Sequence, residues 1–138
     1  MEKKKVIIDN SCDIVYSSFY LDGLYELFGR KNVGFDKLVT FPNKSGNLII
    51  EVRENGKNTK YAISLSDSYR IKEDLYDWCD VYGSVNANVS KTPEKFVEKL
   101  VPLCPSFGVR CWDLPYVLFP QILPFGALCI KHSFSSMK

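Results

Sequence analysis

Val6-Ile7-Ile8 is a continuous apolar run with no polar residue alternating through it, and it is closed at once by Asp9-Asn10-Ser11-Cys12-Asp13. A short strand of that kind is buried on both faces, which calls for a sheet covered by helices. The next segment places Tyr20 or Leu21, Leu24, Leu27 and Phe28 at three- and four-residue spacing, with Asp22, Glu26 and Arg30 turned away from them and Gly29 as the stop. That is an amphipathic helix. Asn32-Val33-Gly34-Phe35-Asp36 reads as a second short strand, so the chain opens with a β-loop-helix-β unit whose crossover is right-handed. No G-x-G-x-x-G accompanies its first turn, and the usual dinucleotide fingerprint is absent.

The middle of the chain has a different rhythm. Asn47-Leu48-Ile49-Ile50-Glu51-Val52 and Lys60-Tyr61-Ala62-Ile63-Ser64-Leu65 flank Glu54-Asn55-Gly56-Lys57-Asn58, a β-hairpin signal centred on Asn55-Gly56. Pro42-Asn43-Lys44-Ser45-Gly46 before it reads as a loop. Ser66-Asp67-Ser68 offers caps for a helix through Ile71, Leu75 and Trp78, with Trp78 in the core. Asp80 to Asn86 forms the next strand and its exit. Thr92-Pro93-Glu94-Lys95 resembles a helix start, with Phe96, Val97, Leu100 and Val101 as its buried stripe and Leu103-Cys104 opening a further strand. The expected fold class is α/β: a Rossmann-like, mainly parallel sheet with flanking helices and an inserted or edge β-hairpin.

The 138 residues suffice for one ordinary domain with a single core. A formal net charge of +2 is too small for the clustered basic excess of a nucleic-acid binder, and Lys3-Lys4-Lys5 reads as a solvated lead-in to the first strand. Cys12, Cys79, Cys104, Cys111 and Cys129 are odd in number and contain no C-x-x-C pair, which argues against zinc and for small buried hydrophobes. No metal and no cofactor is expected. No secretory apolar region follows the N-terminal lysines, so a reducing cytoplasm is the expected location. His132, the one histidine, sits in a terminal segment and reads as exposed, leaving no base beside any cysteine.

In open α/β sheets, ligands bind beyond the carboxyl ends of the strands. Candidate cleft residues are therefore Asp9, Asn10, Ser11 and Asp13 after the first strand, and Tyr82 and Asn86 on the later one. Ser106, Phe107, Gly108 and Arg110 join them in the Pro105-Ser106-Phe107-Gly108-Val109-Arg110 turn. Backbone amides near Asp9-Asn10-Ser11 suit an anion or a sugar hydroxyl, while the same residue types are also common loop formers and helix caps. Asp9 and Asp13 are positional candidates for a general base. No complete catalytic constellation is present among these residues.

Asp77-Trp78-Cys79-Asp80-Val81-Tyr82-Gly83-Ser84-Val85-Asn86 and Pro102-Leu103-Cys104-Pro105-Ser106-Phe107-Gly108-Val109-Arg110, together with Tyr16-Ser17-Ser18-Phe19-Tyr20-Leu21-Asp22-Gly23-Leu24-Tyr25, resemble the N-terminal half of bacterial polysaccharide-type glycosyltransferases of GT-B architecture. The resemblance spans most of Lys5 to Arg110. It implies an acceptor-side domain that recognises a sugar or lipid-linked glycan acceptor, paired with a C-terminal donor domain that holds the nucleotide-sugar. Such a donor domain and its carboxylate-containing motif have no counterpart here, so the expectation is a truncated transferase-like domain over 1–110, inactive alone.

Leu114 to Ile130 carries almost no charge but contains Pro115, Pro120 and Pro124, too short and too broken for a spanning helix. Residues 111–138 are expected to be a linker or interdomain remnant; an alternative is an apolar surface in peripheral contact with the inner membrane face. The second functional expectation is a non-catalytic Rossmann-like module that binds a small sugar, a phosphorylated ligand or a protein partner at the same sheet edge.

Overall fold

The computed structural model describes residues 4–38 and 46–108. Lys3, the loop expected over Pro42 to Ser45, Arg110 and the 111–138 segment with Cys111, Cys129 and His132 lie outside the described residues. The elements in chain order are β1 (Lys5–Asp9), α1 (Ile14–Phe28), β2 (Val33–Asp36), β3 (Asn47–Glu54), β4 (Lys57–Ser64), α2 (Glu73–Trp78), β5 (Val81–Ser84) and β6 (Leu100–Pro102), with short 3₁₀ turns at Arg30–Asn32, Val89–Lys91 and Glu94–Phe96. The six strands form one sheet in the order β2-β1-β3-β4-β5-β6.

This is a mixed α/β sheet. β1 with β2, β4 with β5, and β5 with β6 pair parallel, whereas β3 pairs antiparallel with both β1 and β4. Only β3 runs against the others. The hairpin forms around Asn55 (φ 52°) and Gly56 (φ 72°), the left-handed pair that a tight two-residue turn requires. It is not an edge addition, because β3 and β4 occupy the centre of the sheet. The reason lies in Leu48-Ile49-Ile50, a second continuous apolar run that must be covered on both faces.

Each face has its own core. Val6, Ile8, Leu48 and Ile50 pack with Ile14, Leu21 and Tyr25 of α1, while Ile49, Ala62 and Tyr82 pack with Leu75 and Tyr76 of α2 and with Phe96 on the opposite face. Asp13 caps α1 by accepting hydrogen bonds from the Val15 and Tyr16 amides at 2.9 and 3.2 Å. At the other end the Gly29 amide donates to the Tyr25 carbonyl at 2.9 Å. The buried stripe runs Ile14, Ser17, Ser18, Leu21, Tyr25, so Leu27, expected in the core, is 81 % exposed. Trp78 packs partly buried against the α2-side core, and Lys60 lies over its ring.

Two helix expectations are corrected. Ser66 and Ser68 do not cap α2; their hydroxyls accept from the Ser68 and Arg70 amides, forming serine turns, and the helix starts only at Glu73. The stripe from Phe96 to Val101 does not form an α-helix. Pro93 is extended (ψ 140°), the Thr92 hydroxyl donates to the Asn88 carbonyl, and only one short turn follows before β6 begins at Leu100, three residues before the expected strand. Local tertiary contacts override the helical spacing: the Phe96 ring meets Tyr76 at 5.0 Å, and the Lys99 ammonium donates to the Tyr76 and Cys79 carbonyls at 3.0 and 2.9 Å. Val97 and Val101 are left exposed. Among the described residues, no helix is long and apolar enough to cross a membrane.

Candidate functional site

Because five strands share one direction, Asp9, Asp36, Ser64, Ser84 and Pro102 end at a common edge, and β3 enters there at Asn47. Asn47 pairs with Ser64 and Ser64 with Ser84, so these residues form one cross-strand row. All three are buried. Their face is the one covered by α2, where Ile49, Ala62 and Tyr82 continue the same alternation into the core.

Lys72 stands over this row. Its ammonium donates to Asn47 Oδ1 at 3.2 Å, and its amide donates to the Tyr82 hydroxyl at 3.4 Å. Burial pushes the Tyr82 phenol pKa up, against the opposing effect of the Lys72 amide that donates to it. Tyr82 is thus neutral and acts as a fixed post beneath the loop. Lys72 also lines a crevice of about 370 Å³, together with Tyr16, Gly46, Leu65, Ser66 and Asp67. Gly46 (φ 71°) sits in the left-handed region, and its carbonyl receives the Leu65 amide at 2.9 Å, which joins two of the lining residues.

The sequence-derived candidates divide around this crevice. Asn86 Nδ2 donates to the Ser66 carbonyl at 3.1 Å and ties the β5 exit to the crevice wall. The Ser106 hydroxyl donates to the Tyr16 carbonyl at 3.0 Å, and the Phe107 ring lies 5.0 Å from Phe19, so the segment after β6 crosses back onto the start of α1 beside Tyr16. The Tyr20 hydroxyl fixes the same segment by donating to the Cys104 carbonyl at 2.9 Å. Gly108 is exposed at the end of that crossing. Arg110 lies outside the described residues.

Other candidates have structural work. Asp9 is 1 % exposed; its carboxylate accepts from the Ser11 and Leu38 amides, each at 3.0 Å, and from the Ser11 hydroxyl. A carboxylate so enclosed binds the β1–α1 loop to the segment after β2 and does not reach an acceptor hydroxyl as a general base. The Asn10 amide joins the same seam by donating to the Asp36 carbonyl at 3.0 Å. Asp13 is the cap of α1. Tyr82, expected on the cleft wall, is fully buried because its position in β5 points it toward α2.

Lys72 and Asn47 were not among the sequence candidates. They are 25 residues apart, one at the first position of a strand and one just before a helix, and no motif spacing joins them. A second cavity of about 450 Å³ lies at the other end of the hairpin, between Lys4, Phe28, Val52, Glu54, Asn55, Lys57, Thr59 and Tyr61. It is larger, but it lies away from the carboxyl ends of the parallel strands, and its Lys4 is already paired with Glu54 at 3.0 Å. The carboxyl-edge crevice is therefore the better candidate. Comparison of the chain with protein-family models, curated proteins and solved structures yields no match.

Proposed function

We propose that the protein is a sugar-recognising α/β module of the kind that forms the acceptor side of a GT-B glycosyltransferase. The observation that carries this reading is the crevice at the carboxyl edge. It offers a sugar the Asp67 carboxylate and Ser66 as hydrogen-bonding groups and the Tyr16 ring as an apolar surface. A polyhydroxylated ring needs this mixture of acceptors, donors and one apolar wall. On this reading the sheet positions an acceptor and supplies no catalytic base, since Asp9 and Asp13 are committed to the loop and the helix cap. The nucleotide-sugar donor is bound elsewhere than in this sheet.

Calorimetric titration with monosaccharides and with uridine- and guanosine-diphosphate sugars tests the assignment. Saturable binding of a free sugar, with no gain from the attached nucleotide, is the expected result. Tight binding that requires the nucleotide would overturn the acceptor-side reading. A non-catalytic module that binds a protein partner is the second reading, favoured by Val15, Tyr16, Phe19 and Phe107, which leave an exposed apolar patch along the start of α1.

A further inference from the structure

We infer that the cavity of about 450 Å³ at the turn end of the hairpin is a second binding site, suited to a small planar aromatic carboxylate whose charge is met by Lys57. This site is independent of the sugar-binding crevice. Val52 pairs with Thr59, Glu54 with Lys57 and Ile50 with Tyr61, so alternate residues of β3 and β4 bring these side chains to one face of the sheet. It is the face covered by α1, since Ile50 lies in that core and Val52 and Tyr61 pack against it. The cover runs out toward the hairpin turn. Phe28 is the last residue of α1, and burial along β3 falls from Leu48 at 0 % and Ile50 at 4 % to half-buried Val52 and Glu54. Phe28, Val52 and Tyr61 thus give the cavity an apolar lining that includes two aromatic rings, which suits a planar ring better than a flexible chain.

The polar part of the lining is uneven in charge. Lys4 and Glu54 pair at 3.0 Å and offset each other, and the same Lys4 ammonium lies 5.7 Å from the centre of the Phe28 ring. Lys57 is the cross-strand neighbour of Glu54, but that carboxylate is held by Lys4. Among the described residues, the exposed Lys57 ammonium makes no ion pair or hydrogen bond. One positive charge without an opposing partner therefore stands at an aromatic-lined cavity. A neutral ring leaves that charge unmet, and a ligand with two negative groups meets the Glu54 carboxylate as well. A monoanion with an aromatic body matches both parts of the lining. An ion contact to an exposed ammonium contributes little alone, so ring and charge must act together.

The test is a titration of the full chain with 2-naphthoate at low ionic strength, read by calorimetry and by backbone amide shifts in NMR. 2-Naphthamide supplies the same ring without the charge, and acetate supplies the charge without the ring. 2-Naphthoate is expected to bind at least about tenfold more tightly than either, and to shift the amides of Val52, Lys57, Thr59 and Tyr61. Lys57→Met is expected to lower naphthoate to the affinity of the amide, while Lys57→Arg keeps the difference, which separates lost charge from a disturbed hairpin. Thr59→Phe, which fills the cavity with a strand-favouring side chain, is expected to remove binding of both aromatic probes. Equal affinity for naphthoate and naphthamide would overturn the inference, as would acetate binding as tightly as naphthoate. Shifts confined to Tyr16 and Phe19 would overturn it by assigning the ring to the exposed patch on α1, and absence of naphthoate binding would overturn it outright. A preference for the acid that survives in a folded Lys57→Met variant would overturn the role of Lys57. None of these outcomes bears on the crevice, whose sugar titrations are decided separately.

Discussion

Leu103 lies directly over Gly83, so that a Cβ built on Gly83 would meet Leu103 Cδ1 at 2.6 Å and Ile63 Cγ1 at 3.3 Å. The Leu103 amide also donates to the Ser84 carbonyl at 2.9 Å. The glycine therefore sets how closely the chain after β6 can lie on the sheet before it crosses to Tyr16 and Phe19. Gly83→Ala is expected to destabilise by about 1–3 kcal/mol through overpacking, toward the lower end because the nearest atom is the tip of a movable side chain. Urea unfolding of Gly83→Ala, Leu103→Ala and the double variant checks this. The double variant should be more stable than the sum of the two changes predicts.

The Asp9 carboxylate gathers the Ser11 and Leu38 amides, each at 3.0 Å, inside a nearly closed site. Asp9→Ala leaves those donors without their acceptor and should cost about 1–3 kcal/mol of stability. Asp9→Asn keeps one acceptor oxygen and should lose less. Sugar binding at the crevice should persist in Asp9→Asn, since this residue is not among those lining it. Thermal unfolding and titration on the same sample separate the two effects; loss of binding in a stable Asp9→Asn variant would place Asp9 in the site after all.

Lys99 closes the carboxyl end of α2 by donating to the carbonyls of Tyr76 and Cys79, with its ammonium 4.9 Å from the Tyr76 ring centroid. A cation is favoured at a helix carboxyl terminus, where the carbonyls have no partner within the helix. Lys99→Met should therefore destabilise by about 1–3 kcal/mol. Hydrogen exchange should quicken first at the Cys79 amide, which donates to the Leu75 carbonyl at 3.1 Å in the last turn. Uniform acceleration over the whole sheet would indicate that Lys99 supports the global fold and has no local role.

Much of the framework was legible in the residues themselves. Val6-Ile7-Ile8 announced a doubly covered strand, and Asn55-Gly56 marked the hairpin turn, because both signals depend on a few adjacent residues. Neighbour order in the sheet is not local information, so the central place of the hairpin escaped. Phe96, Val97, Leu100 and Val101 have helical spacing, yet Phe96 and Leu100 alone join the α2-side core, and Leu100 does so from a strand. Leu27 was misplaced because apolar residues extend beyond the covered face of α1, and only the sheet chooses which of them it buries. The crevice was half visible. Asn86 and Ser106 reach two residues that line it, Ser66 and Tyr16, but the Lys72–Asn47 contact depends on two chain segments that meet only after folding.

Cys79 and Cys104 should differ sharply in reactivity, and stability should reveal why. Cys79 is 1 % exposed and its thiol pKa is pushed up to about 11, chiefly by burial, with the Lys99 charge acting in the opposite direction. Cys104 is exposed. A thiol-specific reagent at pH 8 should label Cys104 in the native protein and leave Cys79 unmodified until the chain unfolds. The raised folded pKa means that the native state holds its proton after the unfolded chain, whose thiol titrates near the ordinary value of 9.0, has begun to release it. The contribution is present below pH 9 and is lost as pH rises from about 9 to 11. Tyr82, also raised by burial, has the same sign from its ordinary value of 10.0 upward. Unfolding free energy measured by urea at pH 8, 9, 10 and 11 should fall progressively, and Cys79→Ala should flatten the early part of that decline. An unchanged slope in Cys79→Ala would assign the alkaline loss to the tyrosines alone.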